Sequence, residues 1–358
     1  MRALIALALM GAVRCAPATA APVQLSGEGW RVELSREAGT FDLLAQPAGE
    51  AEFVSLLRAG GERPWYGYNV GSAEGRTSES TPTVEGDPER GPLRVHCELD
   101  PDHAVTHEAV YYLRPEGLVV VSRFGSSALT PEGSIVRFAP KLDVDLSLLT
   151  HYAFVDAEGR RHQGAVMDLG ERNAYAGVGA WEPGRDVVDR LNAERPYMLL
   201  YNPERAVSLG VILPLYESVW REAGSFLQMY QGGFNFWYTG FAPMSRLRGE
   251  RIVILYLRQS GSPEGIEADA PRLCREVEDG IQRGEIEAPE VREMLAAAAA
   301  FDPEAEALSA RLAEEPPTGA AWLALEMLRV AREWAERDPV EALDLLLRGK
   351  AELEGSDM

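Results

Sequence analysis

Apolar and polar residues alternate singly along the first two thirds of the chain and recur at helical spacing along the last third. Trp30, Val32 and Leu34 interleave with Arg31, Glu33 and Ser35, the period-two pattern of a strand with one buried face. Comparable runs lie at residues 92–99, 104–114, 117–126, 134–138, 151–155, 197–201, 207–213, 234–241 and 251–258. Turn chemistry separates them. In Arg114-Pro115-Glu116-Gly117, Thr130-Pro131-Glu132-Gly133 and Asp156-Ala157-Glu158-Gly159, Pro presets the entry or Gly takes a positive φ. More than about ten strands rarely stay in one open twisted sheet, so two packed sheets or a barrel are expected.

The period changes after Gly261-Ser262-Pro263. Leu273, Val277 and Ile281 form one helical stripe, and Trp322, Leu325, Leu328, Val330 and Trp334 another. Asp302-Pro303, Pro316-Pro317-Thr318 and Asp338-Pro339 read as breaks with caps and a Pro in the first turn, giving four or five helices. These helices form either a helical pack or appendage or at most two paired-helix repeats.

The first twenty residues read as an export signal: Arg2 as the positive end, Leu4 to Met10 as the apolar stretch, and Ala18-Thr19-Ala20 as the cleavage site before Ala21. Val13 and Arg14 before Cys15 do not suit a lipid-attachment motif. The apolar run is too short to span a bilayer, which takes roughly 20 residues. The expected organisation is therefore a signal at 1–20, a β domain at 21–262 and a helical region at 263–358.

Charge then narrows the partners. The formal net charge is −21, and removing Arg2 and Arg14 with the signal makes it −23. Such a surface opposes nucleic acid and anionic membrane, and favours neutral or modestly charged ligands unless an Arg cluster reverses the field locally. Cleavage leaves Cys97 and Cys274, as a disulfide or as two free thiols. No zinc spacing, GxGxxG, Walker loop or GxSxG occurs, so no cofactor is expected.

Several segments resemble the galactose-mutarotase-like superfamily of aldose epimerases and glycoside hydrolase accessory domains. They are Ala38-Gly39-Thr40-Phe41 after an opening strand, Gly91-Pro92-Leu93-Arg94-Val95-His96, Glu108 to Arg114 with its Pro-Glu-Gly turn into Leu118 to Val121, and Leu247-Arg248-Gly249-Glu250 before a closing strand. The resemblance implies a mainly β fold, a large two-sheet antiparallel supersandwich followed by the α-helical C-terminal region, with a saccharide on the concave sheet. It also implies a His acid and a Glu base. The nearest residues are His103, His107 or His151 and Glu217 or Glu222, in surroundings that depart from the epimerase motifs.

The residues themselves suggest three chemistries. Trp65, Tyr66, Tyr68 and Asn69 in a loop-like stretch, Trp181, and Asn235 with Trp237 offer aromatic faces and amides for sugar rings. Glu108 and Arg114 share a strand face opposite to His107 and add hydrogen-bonding groups. His151 and Tyr152, near Arg160, Arg161, His162, Arg172 and Asn173, resemble the acid/base set of a uronate polysaccharide lyase. Glu217 with Glu222 is a candidate glycosidase pair, and Asp143 with Asp145 a second pair or a calcium ligand set. A different reading makes the protein a non-catalytic envelope scaffold that binds a protein partner through the helical tail. That reading requires an apolar stripe left exposed along Trp322 to Trp334.

Overall fold

The structure is a computed structural model and describes residues 23–27, 29–34, 41–47, 49–58, 66–70, 73–76, 82–86, 91–100, 105–126, 136–169, 174–177, 187–188, 191–216, 225–230, 233–240, 250–314, 319–335 and 338–356. The signal-like segment and Trp65, His103, Arg172, Asn173, Trp181, Glu217 and Glu222 lie outside them.

The strands are β1 (Val23–Gly27), β2 (Trp30–Leu34), β3 (Phe41–Ala45), β4 (Val54–Arg58), β5 (Tyr66–Val70), β6 (Ala73–Arg76), β7 (Thr83–Glu85), β8 (Leu93–Asp100), β9 (Val105–Arg114) and β10 (Gly117–Ser126). They continue as β11 (Val136–Val144), β12 (His151–Val155), β13 (Arg161–Ala165), β14 (Ala174–Gly177), β15 (Val187–Val188), β16 (Tyr197–Asn202), β17 (Val207–Ile212), β18 (Ser225–Tyr230), β19 (Gly233–Gly240) and β20 (Glu250–Ser260). Four helices follow: α1 (Pro263–Gln282), α2 (Pro289–Glu314), α3 (Gly319–Trp334) and α4 (Pro339–Ser356).

Sheet A has eleven strands in the order β1-β2-β3-β4-β11-β19-β18-β14-β15, with β5 also paired to β11 and β6 to β5. Sheet B has nine, β13-β12-β16-β17-β20-β10-β9-β8-β7. Splitting the strands between two sheets lets each bury one face on the other, as the alternation requires. Trp30, Val32, Leu34, Phe41 and Leu43 of sheet A are buried, while the intervening Arg31, Glu33, Asp42 and Leu44 are half-buried. Phe41 meets Tyr111 of sheet B edge-on, 5.4 Å between ring centroids, and the Trp30 indole N–H donates to the Pro115 carbonyl in the β9–β10 turn. The expected two-sheet β fold with a helical tail is what the chain adopts.

Helix α1 covers the other face of sheet B, packing on β16, β17 and β20. Ser262 caps it, its hydroxyl accepting from Gly265 N–H, with Pro263 in the first turn. Leu273, Val277 and Ile281 are buried as their spacing predicts. Gly210 makes the close approach possible: a Cβ there would stand 2.4 Å from Ile266 Cγ2. The helix stops before Gly284, whose φ of +75° is left-handed, letting Glu285 and Ile286 N–H return to the Gly280 carbonyl.

Two expectations fail in the tail. Asp302-Pro303 does not end a helix; α2 runs through Pro303. Its first half buries Val291 in the sandwich core and its second half buries Phe301, Ala305 and Leu308 in a separate helical core, so packing on both sides outweighs the lost backbone bond. The apolar stripe of α3 is also displaced. Ala321, Ala324, Leu328 and Ala331 face the helical core, leaving Trp322 and Leu325 outside, because α4 approaches closely with Gly349 against Ala324 and Met327. Among the described residues no helix is long and apolar enough to cross a membrane.

Candidate functional site

Among the described residues, the helices that pack on a sheet, α1 and the start of α2, lie against sheet B, which turns attention to the outer face of sheet A. Its register defines what lies there. Asp42 pairs with Arg58, and Arg58 with Asp143, which carries the half-buried face of β3 into β11; Leu43, Leu57 and Val144 form the core row beside it. Counting in twos from Asp143 places Lys141, Ala139 and Arg137 on the same face.

Cross-strand pairing extends these positions into three rows. Arg137 pairs with Asn69 and with Thr239. Lys141 pairs with Asn235, Asn235 with Gln228, and Gln228 with Tyr175. Between the two rows, Ala139 pairs with Gly67, and Trp237 with Phe226. An aromatic row is thus flanked by two rows of amides, hydroxyls and cations. Rows lie about 7 Å apart along a strand and neighbours about 4.8 Å apart across it.

Asn69, Asn235 and Trp237 share this face. Tyr66 and Tyr68 belong to a strand rather than a loop, and their register with Pro140 and Phe138 puts them at the alternate positions, out of phase with Asn69. Arg137, Lys141, Thr239, Gln228, Phe226 and Tyr175 were not singled out by sequence. Pro140 hides the signal, because it interrupts what otherwise alternates as one strand from Val136 to Val144.

The remaining candidates lie elsewhere. His107 is 1 % exposed between the sheets, and burial together with nearby His96 pushes its imidazole down to about 3. Glu108 and Arg114 lie on the face of sheet B that the helices cover. Arg123 bridges Glu108 at 3.0 Å and Glu290 of α2 at 2.7 Å, and also donates to the Glu287 carbonyl. Arg94 pairs with Glu287, whose N–H donates to the Tyr112 hydroxyl at 2.7 Å. Arg114 lies beside Gly280 of α1. These groups fasten the α1–α2 turn to sheet B.

His151 and Tyr152 are adjacent in β12 and take opposite faces of it, so they do not converge on one proton. His151 Nδ1 meets the Thr150 hydroxyl at 2.9 Å and its ring lies 5.5 Å from Tyr201; Tyr152 stacks on Phe154 at 6.3 Å. The nearby cations are engaged as well. Arg160 and His162 both donate to Asp156, at 2.9 and 2.8 Å, and Arg161 pairs with Glu267 of α1 at 2.7 Å. Burial opposes ionisation of Asp156, but the bonds from His162 and Arg160 outweigh it and hold the carboxyl at about 2. Asp156 also accepts the Arg160 N–H, and so closes the β12–β13 hairpin.

The Asp143–Asp145 pair dissolves too. Asp145 follows the strand and accepts the Ser147 N–H and hydroxyl at 3.0 and 2.6 Å. Among the described residues no group of three or more His, Cys, Asp or Glu is placed to hold a metal ion. Cys97 and Cys274 are both free thiols: Cys97 lies between the sheets and Cys274 in α1, on the other side of sheet B.

The sequence matches no protein-family model and no curated protein sequence. Among solved structures, the chain is similar to a galactose mutarotase-like protein from Lactobacillus casei ATCC 334, at 11 % identity and a TM-score of 0.40 over 66 % of this chain and 99 % of that one. A galactose mutarotase related enzyme from Lactobacillus acidophilus is 10 % identical, with a TM-score of 0.38 over 66 % and 97 %. An α-N-acetylgalactosaminidase from Bifidobacterium bifidum, in complex with GalNAc, is 12 % identical, with a TM-score of 0.44 over 80 % of this chain and 42 % of that one. The similarity to these proteins is one of fold alone.

Proposed function

We propose that this is an exported protein that binds a saccharide on the helix-free face of sheet A, centred on the Trp237–Phe226 row. The observation that supports this is the strand register, which sets that aromatic row between Asn69, Arg137 and Thr239 on one side and Lys141, Asn235, Gln228 and Tyr175 on the other. Aromatic faces bind the apolar faces of sugar rings, and amides and hydroxyls in rows read their hydroxyl groups. Export rests on the Arg2, Leu4 to Met10 and Ala18-Thr19-Ala20 pattern. Calorimetry of the chain against a panel of neutral and acidic oligosaccharides tests the site. Saturable binding is expected, weakened about tenfold by Trp237→Ala for the loss of one stacking partner. Binding that ignores this substitution contradicts the proposal, and product analysis of each bound sugar shows whether it is turned over.

A second reading, with a protein partner on the tail, is favoured by one observation. Trp322 is 65 % exposed and Leu323, Leu325 and Leu347 are 44, 47 and 46 % exposed, large apolar side chains left at the surface of α3 and α4. Photo-crosslinking from position 325 in producing cells is expected to trap one defined protein, a product lost in Trp322→Glu. A smear insensitive to Trp322→Glu counts against it.

A further inference from the structure

We infer that α2 holds a hinge at Asp302-Pro303, where the helix opens and the helical unit behind it turns against the sandwich. The two ends of α2 belong to different bodies. Its start is tied to sheet B: Glu287, just before the helix, pairs with Arg94, and Glu290 pairs with Arg123 at 2.7 Å. Val291 joins the sandwich core, and Met294 and Leu295 pack against it. From Phe301 onward the helix belongs to the second core, with Lys350 of α4 on Glu304 at 3.2 Å and Glu354 of α4 on Arg311 at 3.3 Å. Ala296 to Ala300, between these ties, join neither core. Pro303 therefore stands at the entrance to the second body.

Asp302-Pro303-Glu304 has the residues of a helix start, set inside a helix. The same pair opens α4: the Asp338 carboxylate accepts the Glu341 N–H at 3.1 Å, with Pro339 in the first turn. Ser262-Pro263-Glu264 opens α1 in the same manner. In a continuous α2 the Glu304 and Ala305 N–H groups bond to the carbonyls of Ala300 and Phe301, and Pro303 offers the Ala299 carbonyl no donor. Opening the helix at Asp302 releases only those two bonds, since the Asp302 carbonyl still accepts the first bond of the helix that follows. The Asp302 carboxylate takes up one of the freed N–H groups, and Glu304 gains the favourable charge position of a first turn. Asp302 and Pro303 are both exposed, so neither is locked by packing. Both states keep both cores, and they differ by one turn of backbone.

The test is the distance between the two bodies in the full chain, read by pulsed electron resonance between spin labels at the exposed positions Glu158→Cys and Arg348→Cys, with Cys15 and Cys274 replaced by Ser. Two distance populations are expected, one from the continuous helix and one from the opened helix. Pro303→Ala, which restores the bond to the Ala299 carbonyl, should reduce the opened population at least tenfold. Asp302→Ala should reduce it about fivefold, whereas Asp302→Asn, which still caps, should leave it unchanged. Amide exchange at Glu304 and Ala305 should outpace that of the flanking turns of α2 and slow in Pro303→Ala. A single distance, two populations that Pro303→Ala leaves unchanged, or exchange at Glu304 and Ala305 no faster than in the flanking turns overturns the inference.

Discussion

His107 illustrates how far one residue can be read from its neighbours in sequence. Alternation with Val105, Ala109 and Tyr111 marks a half-buried imidazole, and the structure buries it almost wholly, with its proton affinity lowered to about 3 from 6.5 by desolvation and by His96. The folded chain thus binds this proton less readily than the unfolded chain. Stability from this group is complete above about pH 6.5 and is lost as pH falls through that value toward 3. Urea unfolding from pH 7 to 3.5 should show a falling midpoint, with a flatter profile in His107→Gln. Equal slopes for both proteins would remove His107 from the acid response. Asp156 acts at lower pH, since its carboxyl is held at about 2 against an ordinary 3.8: its contribution is present above about pH 4 and disappears toward 2. The two windows separate the two residues. What sequence did not reveal at this scale is the engagement of Arg123 and Arg161, because their partners, Glu290 and the Glu287 carbonyl for the one and Glu267 for the other, are distant in sequence.

Elements were legible where a period is long and uninterrupted. The β9–β10 hairpin and the buried stripe of α1 follow from spacing and turn chemistry alone, whereas β11 was read only to Phe138 because Pro140 breaks its pattern in the middle. That lost half-strand concealed Lys141 and the link from Asp143 to Arg58, and with it the row structure of the candidate site. Tyr66 to Asn69 read as loop because Gly67 interrupts the aromatics; pairing to β11 makes them a strand. The seat of α1 provides a test at this scale. Gly210→Val should cost about 1–3 kcal/mol, as the new side chain must displace Ile266, and an unchanged unfolding midpoint would mean that α1 is not held against β17. Arg123→Ala, which frees Glu108 and Glu290 from one guanidinium, should cost about 1–2 kcal/mol and raise amide exchange in the α1–α2 turn first.

At the scale of the molecule, composition changes at Pro263 but the core does not. Ile266, Leu273, Val277, Ile281 and Val291 belong to the same buried cluster as both sheets, and the second cluster begins at Phe301. A chain ending at Glu314 should therefore keep the sandwich, α1 and the sugar affinity, while exposing Phe301 and Leu308 and losing solubility. Loss of the β circular dichroism signal on this truncation would show that α3 and α4 are needed for the sandwich.

The most direct test is where a sugar lies. A crystal structure of the chain with a bound oligosaccharide should show the ring over the Trp237–Phe226 row, with Asn69, Arg137, Lys141 or Asn235 within hydrogen-bond distance of its substituents. A sugar bound with high occupancy anywhere else, on the β12–β13 edge or on the helical tail, with the sheet A face empty, would contradict the account.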